Sequence, residues 1–389
     1  MNSAVIKLAR ATTTGMAAAM FAAVFALSAP AQAQTVTIGV SVNATGPNAA
    51  VGLPYKNLIE AMPGTLAGVP VKYIVMDDGG DPAAAVKNAR KFVTEDKVDM
   101  ILGSTSTPTA TAMMDVAVET RTVMIAEAPV AIPQDKFAWV FMVPQPVSMM
   151  VEAVVEHMKA SGVKSVAYIG YADGWGDLNW KILSELAPKA GIRVLAGERY
   201  ARADTSVTGQ VLKIMATNAD AVYIGAAGTP AALPHLTLNE RGYKGRVYHT
   251  HGTINPDFIR VGGKGVEGGI APTGPVVVAD QLPDSNPIKK AALEFGRIYE
   301  AKHGPGRNPF GAYAYDGLKL FEAAIPVAMK RGKPGTPEFR AAMRDALENV
   351  KNVVGAHGIY NMSPTDHNGL DNRARVMVHV KDGKWTLLQ

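Results

Sequence analysis

Four hydroxyl residues in a row, Ser104-Thr105-Ser106-Thr107, run directly into Pro108, a residue favoured at the first position of a helix. Such a turn presents hydroxyls and unpaired backbone N–H groups at a helix N-terminus, where partial positive charge suits an anion such as a carboxylate. A plainer role is also open, in which Thr107 caps the helix and Ser104 and Ser106 fill the turn. A second candidate is Trp175, set between glycines in Gly174-Trp175-Gly176-Asp177, where an indole offers a flat face for stacking. His249-Thr250-His251 is a third; at strand spacing its two imidazoles share a face. Zinc needs three or four ligands, and no further histidine or carboxylate is placed to complete that set, so no metal is expected.

Other patterns carry less. Asp77, Asp78 and Asp81 lack the spacing of a calcium loop and read as turn and cap residues. The glycine-rich Arg260–Gly269 stretch follows Lys264 with Gly265, so it is not a phosphate loop. Gly103 to Thr107 lacks the closing glycine of a nucleophile elbow. The case for an enzyme is thin, and no cofactor is implied.

The elements that must position these residues alternate. Strands are expected at Val36–Val42, Val71–Met76, Val98–Gly103, Thr122–Ala126 and Trp139–Val143, with helices from about Ala50 to Met62, after Pro82, and after Pro108. A second series follows Pro144-Gln145-Pro146, with strands at Ser165–Tyr171, Ile192–Leu195, Ala221–Ile224 and Arg246–Thr250. Helices fall between them, the first near Asp177–Ala190. Beyond Pro275 come helices at Asn286–Lys302, Phe310–Lys330 and Thr336–Glu348, and then a hairpin turning at Asp382-Gly383. Alternating strands and helices mean parallel sheets covered on both faces, here in two lobes.

The N-terminus reads as an export signal: Lys7 and Arg10, an apolar Met16–Leu27, and Ala31-Gln32-Ala33 as the cleavage site. The chain of 389 residues would then shorten to 356, starting at Gln34, and removing Lys7 and Arg10 lowers the net charge from +5 to +3. There is no cysteine, which excludes disulfides, thiolate chemistry and a lipid anchor on a new N-terminal cysteine. Charges of both signs are scattered, so nucleic acid and membrane binding find no support. A monomer in the periplasm of a Gram-negative bacterium fits these features.

Taken together, the order Ile38-Gly39, Thr45-Gly46-Pro47, Asp77 to Pro82, Val98 to Gly103 with its Ser/Thr turn, Gly174-Trp175-Gly176, Asp220-Ala221-Val222-Tyr223 and Gly311 to Leu318 resembles one family across Gln34 to Gln389. It is similar to the periplasmic binding components of ABC importers of the branched-chain amino acid, Leu/Ile/Val-binding, type. The resemblance implies a type I periplasmic binding protein fold: two doubly wound parallel-sheet lobes joined by a three-crossing hinge. It divides the chain into a signal peptide at 1–33, a first lobe of 34–143 plus 275–352, and a second of 144–274 plus 353–389. It further implies capture of a small molecule in the interlobe cleft by hinge closure, and an ABC permease in the inner membrane as partner.

Carried over position by position, the resemblance places ligand contacts at Ser106 or Thr107, Ala126, Ala128, Trp175, Ala227, His251 and Phe310. The departures speak to the ligand. Where amino-acid binders carry a carboxylate for the ligand's ammonium group, this chain has His251, a poor counter-ion for a cation. Tyrosines of many relatives are replaced by Val51 and Ala227. The expected ligand is therefore a carboxylate with an aromatic body, of hydroxybenzoate or phenylpropenoate type, with a hydroxyl for His251. The alternatives are a branched-chain amino acid or amide, and, from another class, the substrate of a secreted hydrolase using Ser106 and His251.

Overall fold

A computed structural model describes residues 34–304 and 308–388; the expected signal peptide lies outside the described residues. The first sheet is built from β1 (Val36–Val42), β2 (Thr65–Leu66), β3 (Val69–Asp77), β4 (Met100–Gly103), β5 (Val123–Ala126) and β6 (Val140–Met142). Their spatial order is β2-β3-β1-β4-β5-β6, parallel except for the short β2. β4, β5 and the edge strand β6 are buried along their length, as near-continuous apolar runs require when helices cover both faces.

The second sheet contains β7 (Ser165–Tyr171), β8 (Arg193–Tyr200), β9 (Ala221–Gly225), β10 (Arg246–His249) and β11 (Ile270–Thr273). A two-residue ladder, β12 (Val353–Val354) with β13 (Ile359–Tyr360), precedes the final hairpin of β14 (Val376–Lys381) and β15 (Lys384–Leu387). That hairpin adds antiparallel to β11, giving the order β15-β14-β11-β10-β9-β7-β8. The two sheets with their helices are the two α/β lobes of a type I periplasmic binding protein fold.

Each lobe has its own core. The late helices Lys289–His303, Pro309–Ala328 and Pro337–Glu348 pack Phe295, Phe321 and Phe339 onto the first sheet beside Ile38 and Leu102. The second core holds Tyr168, Tyr223, Leu183 and Ile214. The short helical stretch Pro275–Gln281 straddles the two lobes, with Val276 and Ala279 in the first core and Val278 against Ala271 and Val378.

The chain passes between the sheets three times. Val143 belongs to the first core and Val147 to the second, so the first passage is Pro144-Gln145-Pro146. The second follows β11. The segment after Val353, expected in the second lobe, keeps Ala356, Tyr360 and Met362 in the first core, and the third passage comes only between Met362 and β14. Asp316 is the reason. Its buried carboxylate accepts from the N–H groups of Ala356 (2.5 Å) and His357 (3.0 Å) and from the Tyr360 hydroxyl (2.9 Å). Burial nevertheless holds the Asp316 acid up to about 7, against these donors.

Side-chain amides tie the passages to one another. Asn368 donates to the carbonyls of Met142 (2.9 Å) and Pro144 (3.0 Å), and Gln145 donates to that of Ala374 (2.8 Å). Replacing Asp316 orphans the buried N–H groups of Ala356 and His357, each worth roughly 1–3 kcal/mol when left unpaired, and leaves the Tyr360 hydroxyl with only the Val143 carbonyl at 3.3 Å. Asp316→Ala is therefore expected to lower the urea midpoint markedly, with a loss of several kcal/mol; a loss under about 1 kcal/mol would show that the hinge segment is held by other means.

Candidate functional site

The hydroxyl turn is fastened from behind. Gly103, at the end of β4, has φ near 121°, and a Cβ there would run into the Ser41 carbonyl. The next residue, Ser104, donates to Asp78 Oδ2 at 2.7 Å. Asp78 also accepts from Ser41 Oγ at 2.7 Å, from the Asn43 amide and from the Gly80 N–H, so one buried carboxylate joins the ends of β1, β3 and β4. Thr105 Oγ1 accepts from the Asn43 N–H at 3.0 Å.

Two neighbouring aspartates act nearby. Asp77 takes the Ala44 N–H and the Thr45 hydroxyl, and Asp81 caps the helix Pro82–Thr94. The turn and cap roles expected for these residues describe Asp77 and Asp81, but Asp78 is a buried hub.

Ser106 occupies the N-cap of the helix Thr107–Glu119, yet its side chain makes no capping bond. Its hydroxyl pairs with Thr109 Oγ1 at 2.7 Å, while Thr107 donates its hydroxyl to the Pro129 carbonyl at 2.8 Å. The first-turn N–H groups thus lack a side-chain acceptor at the point where the turn meets the cleft.

On the second lobe, Trp175 is not in a loop. The helix expected from Asp177 begins at Gly174, because Asp173 rather than Asp177 supplies the cap, accepting from the N–H groups of Trp175 (2.9 Å) and Gly176 (3.3 Å). The side chain is nevertheless turned to the cleft, with its indole edge-on to His251 at 5.3 Å. The start of this helix adjoins the hydroxyl turn: a Cβ on Gly174 would lie 3.7 Å from the Thr107 methyl.

The two imidazoles part company. β10 ends at His249, so the strand alternation does not reach His251. His249 turns to His235, ring nitrogen to ring nitrogen at 2.9 Å, while His251 enters the cleft. Burial drives the His251 imidazolium down to about 3, with His357 adding to the effect, so the ring is neutral at ordinary pH.

The two sides enclose about 400 Å³ of space, counting the mouth. Tyr55, Phe310 and Tyr313 form an aromatic wall, with the Tyr55 ring stacked 6.4 Å from Phe310 and 6.5 Å from Tyr313. Two of these rings are also tied down, since Tyr55 donates to the Glu127 carbonyl at 2.7 Å and Tyr313 to Gln145 Oε1 at 2.6 Å. Arg202 closes the mouth. Its Nε donates to Asp173 at 2.6 Å, its guanidinium lies 4.2 Å from the Tyr171 ring centre, and its Nη1 reaches Asn48 across the cleft at 3.2 Å.

Five polar atoms buried on this cavity's residues have no hydrogen-bond partner among the described residues: Trp175 Nε1, both ring nitrogens of His251 and both carboxyl oxygens of Glu127. A buried polar atom without a partner costs free energy, so these are groups awaiting one. Ser106 and His251 make no hydrogen bond to each other, and the pairing that a serine nucleophile needs is not formed.

Of the positions named from the sequence, Ser106, Thr107, Ala128, Trp175, Ala227, His251 and Phe310 line this cavity. Ala126 does not: it closes β5 opposite Met142 and is packed in a core behind the wall. Tyr55, Glu127, Arg202 and Tyr313, which no motif in the sequence marks, also line the cavity. Glu127 and Arg202 follow the carboxyl ends of β5 and β8, the edge where open α/β sheets bind ligands, and that rule could have marked both. Tyr55 and Tyr313 lie on long apolar helix faces that look like ordinary core. Among the described residues, no group of three or more His, Asp or Glu is placed to hold a metal ion, and no helix is long and apolar enough to cross a membrane.

Known proteins resemble this chain in sequence and fold. The profile of the family described as periplasmic binding protein matches residues 35–384. An extracellular ligand-binding receptor from Rhodopseudomonas palustris HaA2 is 45% identical, with a TM-score of 0.89, covering 91% of this chain and all of its own. The Leu/Ile/Val-binding protein BraC3 of Rhizobium johnstonii is 24% identical over 85% of this chain and 88% of its own length. In fold alone, the chain is similar to the branched-chain amino acid transporter substrate binding protein LivJ of Streptococcus pneumoniae, solved with isoleucine, at 17% identity and a TM-score of 0.76, covering 90% of this chain and 98% of that one. These relatives are described as receptors and binding proteins, not as enzymes. With the match spanning both lobes and the cleft between them, the chain belongs to the periplasmic binding protein family.

Proposed function

We propose that the protein captures a small aromatic carboxylate, of hydroxybenzoate or phenylpropenoate type, between its lobes and delivers it to an ABC permease in the inner membrane. The observation that carries this reading is the makeup of the cavity: stacked aromatic rings on one wall, an uncapped helix start with its hydroxyls on another, and a neutral imidazole where a cation's partner would stand. The helix start and Ser106 hold the carboxylate, with Thr107 supplying backbone and a methyl wall. Trp175 and His251 offer neutral ring nitrogens from the second lobe. Burying the ligand's ring against Tyr55, Phe310 and Trp175 contributes a few kcal/mol, and charge-assisted hydrogen bonds to its carboxylate add roughly 1.5–3 kcal/mol. Because the contacts come from both lobes, the ligand favours the closed hinge by its differential affinity.

One observation favours a second reading. Glu127 is an acidic residue among those lining the cavity, and if its carboxyl were ionised it would suit the ammonium group of a branched-chain amino acid. A thermal-shift panel separates the two. Ligand at about 100 times its dissociation constant raises stability by roughly 2.7 kcal/mol. Aromatic acids are expected to raise the melting temperature and leucine, isoleucine and valine to leave it unchanged; the reverse pattern would overturn the proposed ligand class. Trp175→Ala should weaken binding by a factor of ten or more while the circular-dichroism spectrum stays native, and unchanged affinity would remove the indole from the site.

The neutral state of His251 predicts a pH signature. Its folded-state value near 3 lies below the ordinary 6.5, so its contribution to stability is complete above pH 6.5 and is lost as pH falls toward 3. The slope is at most about 1.4 kcal/mol per pH unit. His251→Asn should therefore lose less stability than the parent between pH 6.5 and 4 in urea titrations. Equal losses would mean that the imidazole is protonated in the fold.

A further inference from the structure

Glu127 is the charged residue type least expected at this place. Its side chain is buried, and neither carboxyl oxygen has a hydrogen-bond partner among the described residues. The group lies under the aromatic wall: a Cβ on Gly317, one turn beyond Tyr313 on the same helix, would come within 2.6 Å of Oε1 and 2.8 Å of the Leu102 side chain. Glycine at 317 therefore makes the room in which the carboxyl sits. The Tyr55 hydroxyl is spent on the Glu127 backbone carbonyl and the Tyr313 hydroxyl on Gln145, so neither neighbouring phenol serves the carboxyl. Asp316, the acid whose charge acts on Glu127, is occupied with Ala356, His357 and Tyr360.

We infer that Glu127 is a specificity-determining residue, its carboxyl acting as a neutral donor–acceptor pair for a phenolic hydroxyl on the ligand. This rests on the aromatic-acid reading above and deepens it. The chemistry is complementary: a protonated carboxyl donates one hydrogen and accepts another, and a phenol does the same. Burial, with the negative charge of Asp316 second, holds the Glu127 acid well above the usual carboxylate range, which keeps the donor in place. A ring without the hydroxyl leaves the carboxyl unpaired, and sites built to hydrogen-bond a substrate hydroxyl reject the analogue lacking it strongly.

The test is isothermal titration of the full chain with 4-hydroxybenzoate against benzoate and 4-hydroxycinnamate against cinnamate, for the parent, Glu127→Gln and Glu127→Leu. The parent is expected to prefer the hydroxylated acid of a pair by at least tenfold. Glu127→Gln, which still donates and accepts, should keep part of that preference, and Glu127→Leu should abolish it while still binding the unsubstituted acid. Equal affinities in the parent, or a preference unchanged in Glu127→Leu, would overturn the assignment. Should Glu127→Leu fail to fold, Glu127→Gln decides: a preference reduced but present supports the role, and one identical to the parent's overturns it. Failure of the ligand class is a separate outcome. If leucine binds the parent and no aromatic acid does, the proposed function falls, and loss of leucine binding in Glu127→Gln would make the carboxyl an ionised partner for ammonium, overturning the neutral role as well.

Discussion

The candidate site depends on the buried carboxylate of Asp78. Three strand ends of the first sheet, with the turn that follows β4, converge on it through Ser41, Asn43, Ser104 and Gly80. Loops at the carboxyl edge of a sheet carry no ladder hydrogen bonds of their own, so something else must fix them. Here the fixing is polar and central. Hydrogen bonds to a charged acceptor contribute about 1.5–3 kcal/mol each, roughly twice a neutral bond. With Ser104 held on Asp78 and Thr107 on the Pro129 carbonyl, the turn between them has little freedom. In the proposed function, its uncapped N–H groups are aimed before the ligand arrives, which lowers the entropic cost of binding.

The second lobe uses the same device with different residues. Asp173 starts the helix that carries Trp175 and also holds Arg202 at the mouth, so one carboxylate positions an aromatic face and a cation. On both sides the carboxylates that organise the cleft are satisfied within the protein, Asp78 by hydrogen bonds and Asp173 by Arg202 as well. The groups left unmatched are those of His251, Trp175 and Glu127, and burial favours the neutral forms of the histidine and the glutamate. The interior of the cavity is accordingly mostly apolar, with a few neutral polar groups set into it. In the proposed function, the ligand's single charge is taken up at the helix start.

Much of this was legible in the sequence where periodicity and punctuation agree. The apolar runs of β1, β4, β5, β7 and β9, and the proline or hydroxyl residues that open helices, gave the two α/β lobes. Trp175 and His251 stand out because such rings beside strand ends have little structural reason to be there, whereas the hydroxyl turn reads equally as a cap and a turn. The less legible features depend on contacts distant in sequence. Asp78 looks like any turn aspartate until Ser41 and Ser104 are brought to it. Val353 to Met362 reads as the start of the second lobe, but Asp316, some forty positions earlier, holds it on the first. Glu127 is hard to read because a lone acid after a buried strand looks like the beginning of a loop, and only the fold shows that it is buried without a partner among the described residues. The start of the Trp175 helix was misplaced by three residues since Asp173 and Asp177 are equally plausible caps locally.

Closure follows from where the lobes touch. Across the mouth the protein supplies the Arg202–Asn48 hydrogen bond and the approach of Gly228 to Val51, a Cβ there lying 3.5 Å from its methyl group. The Arg202 contact is a single bond at a partly exposed site, so its net contribution is modest, on the order of 1 kcal/mol. A contact that weak trims the opening equilibrium without fixing it, since moving a population from 1:99 to 99:1 takes about 5.5 kcal/mol. The groups able to supply the remainder are those inside: the aromatic wall, the helix start and the unpartnered atoms of Trp175, His251 and Glu127. In the proposed function these become satisfied only when a ligand bridges them. The unpaired polar atoms of the closed cleft are then the means by which an occupied protein is made to differ from an empty one.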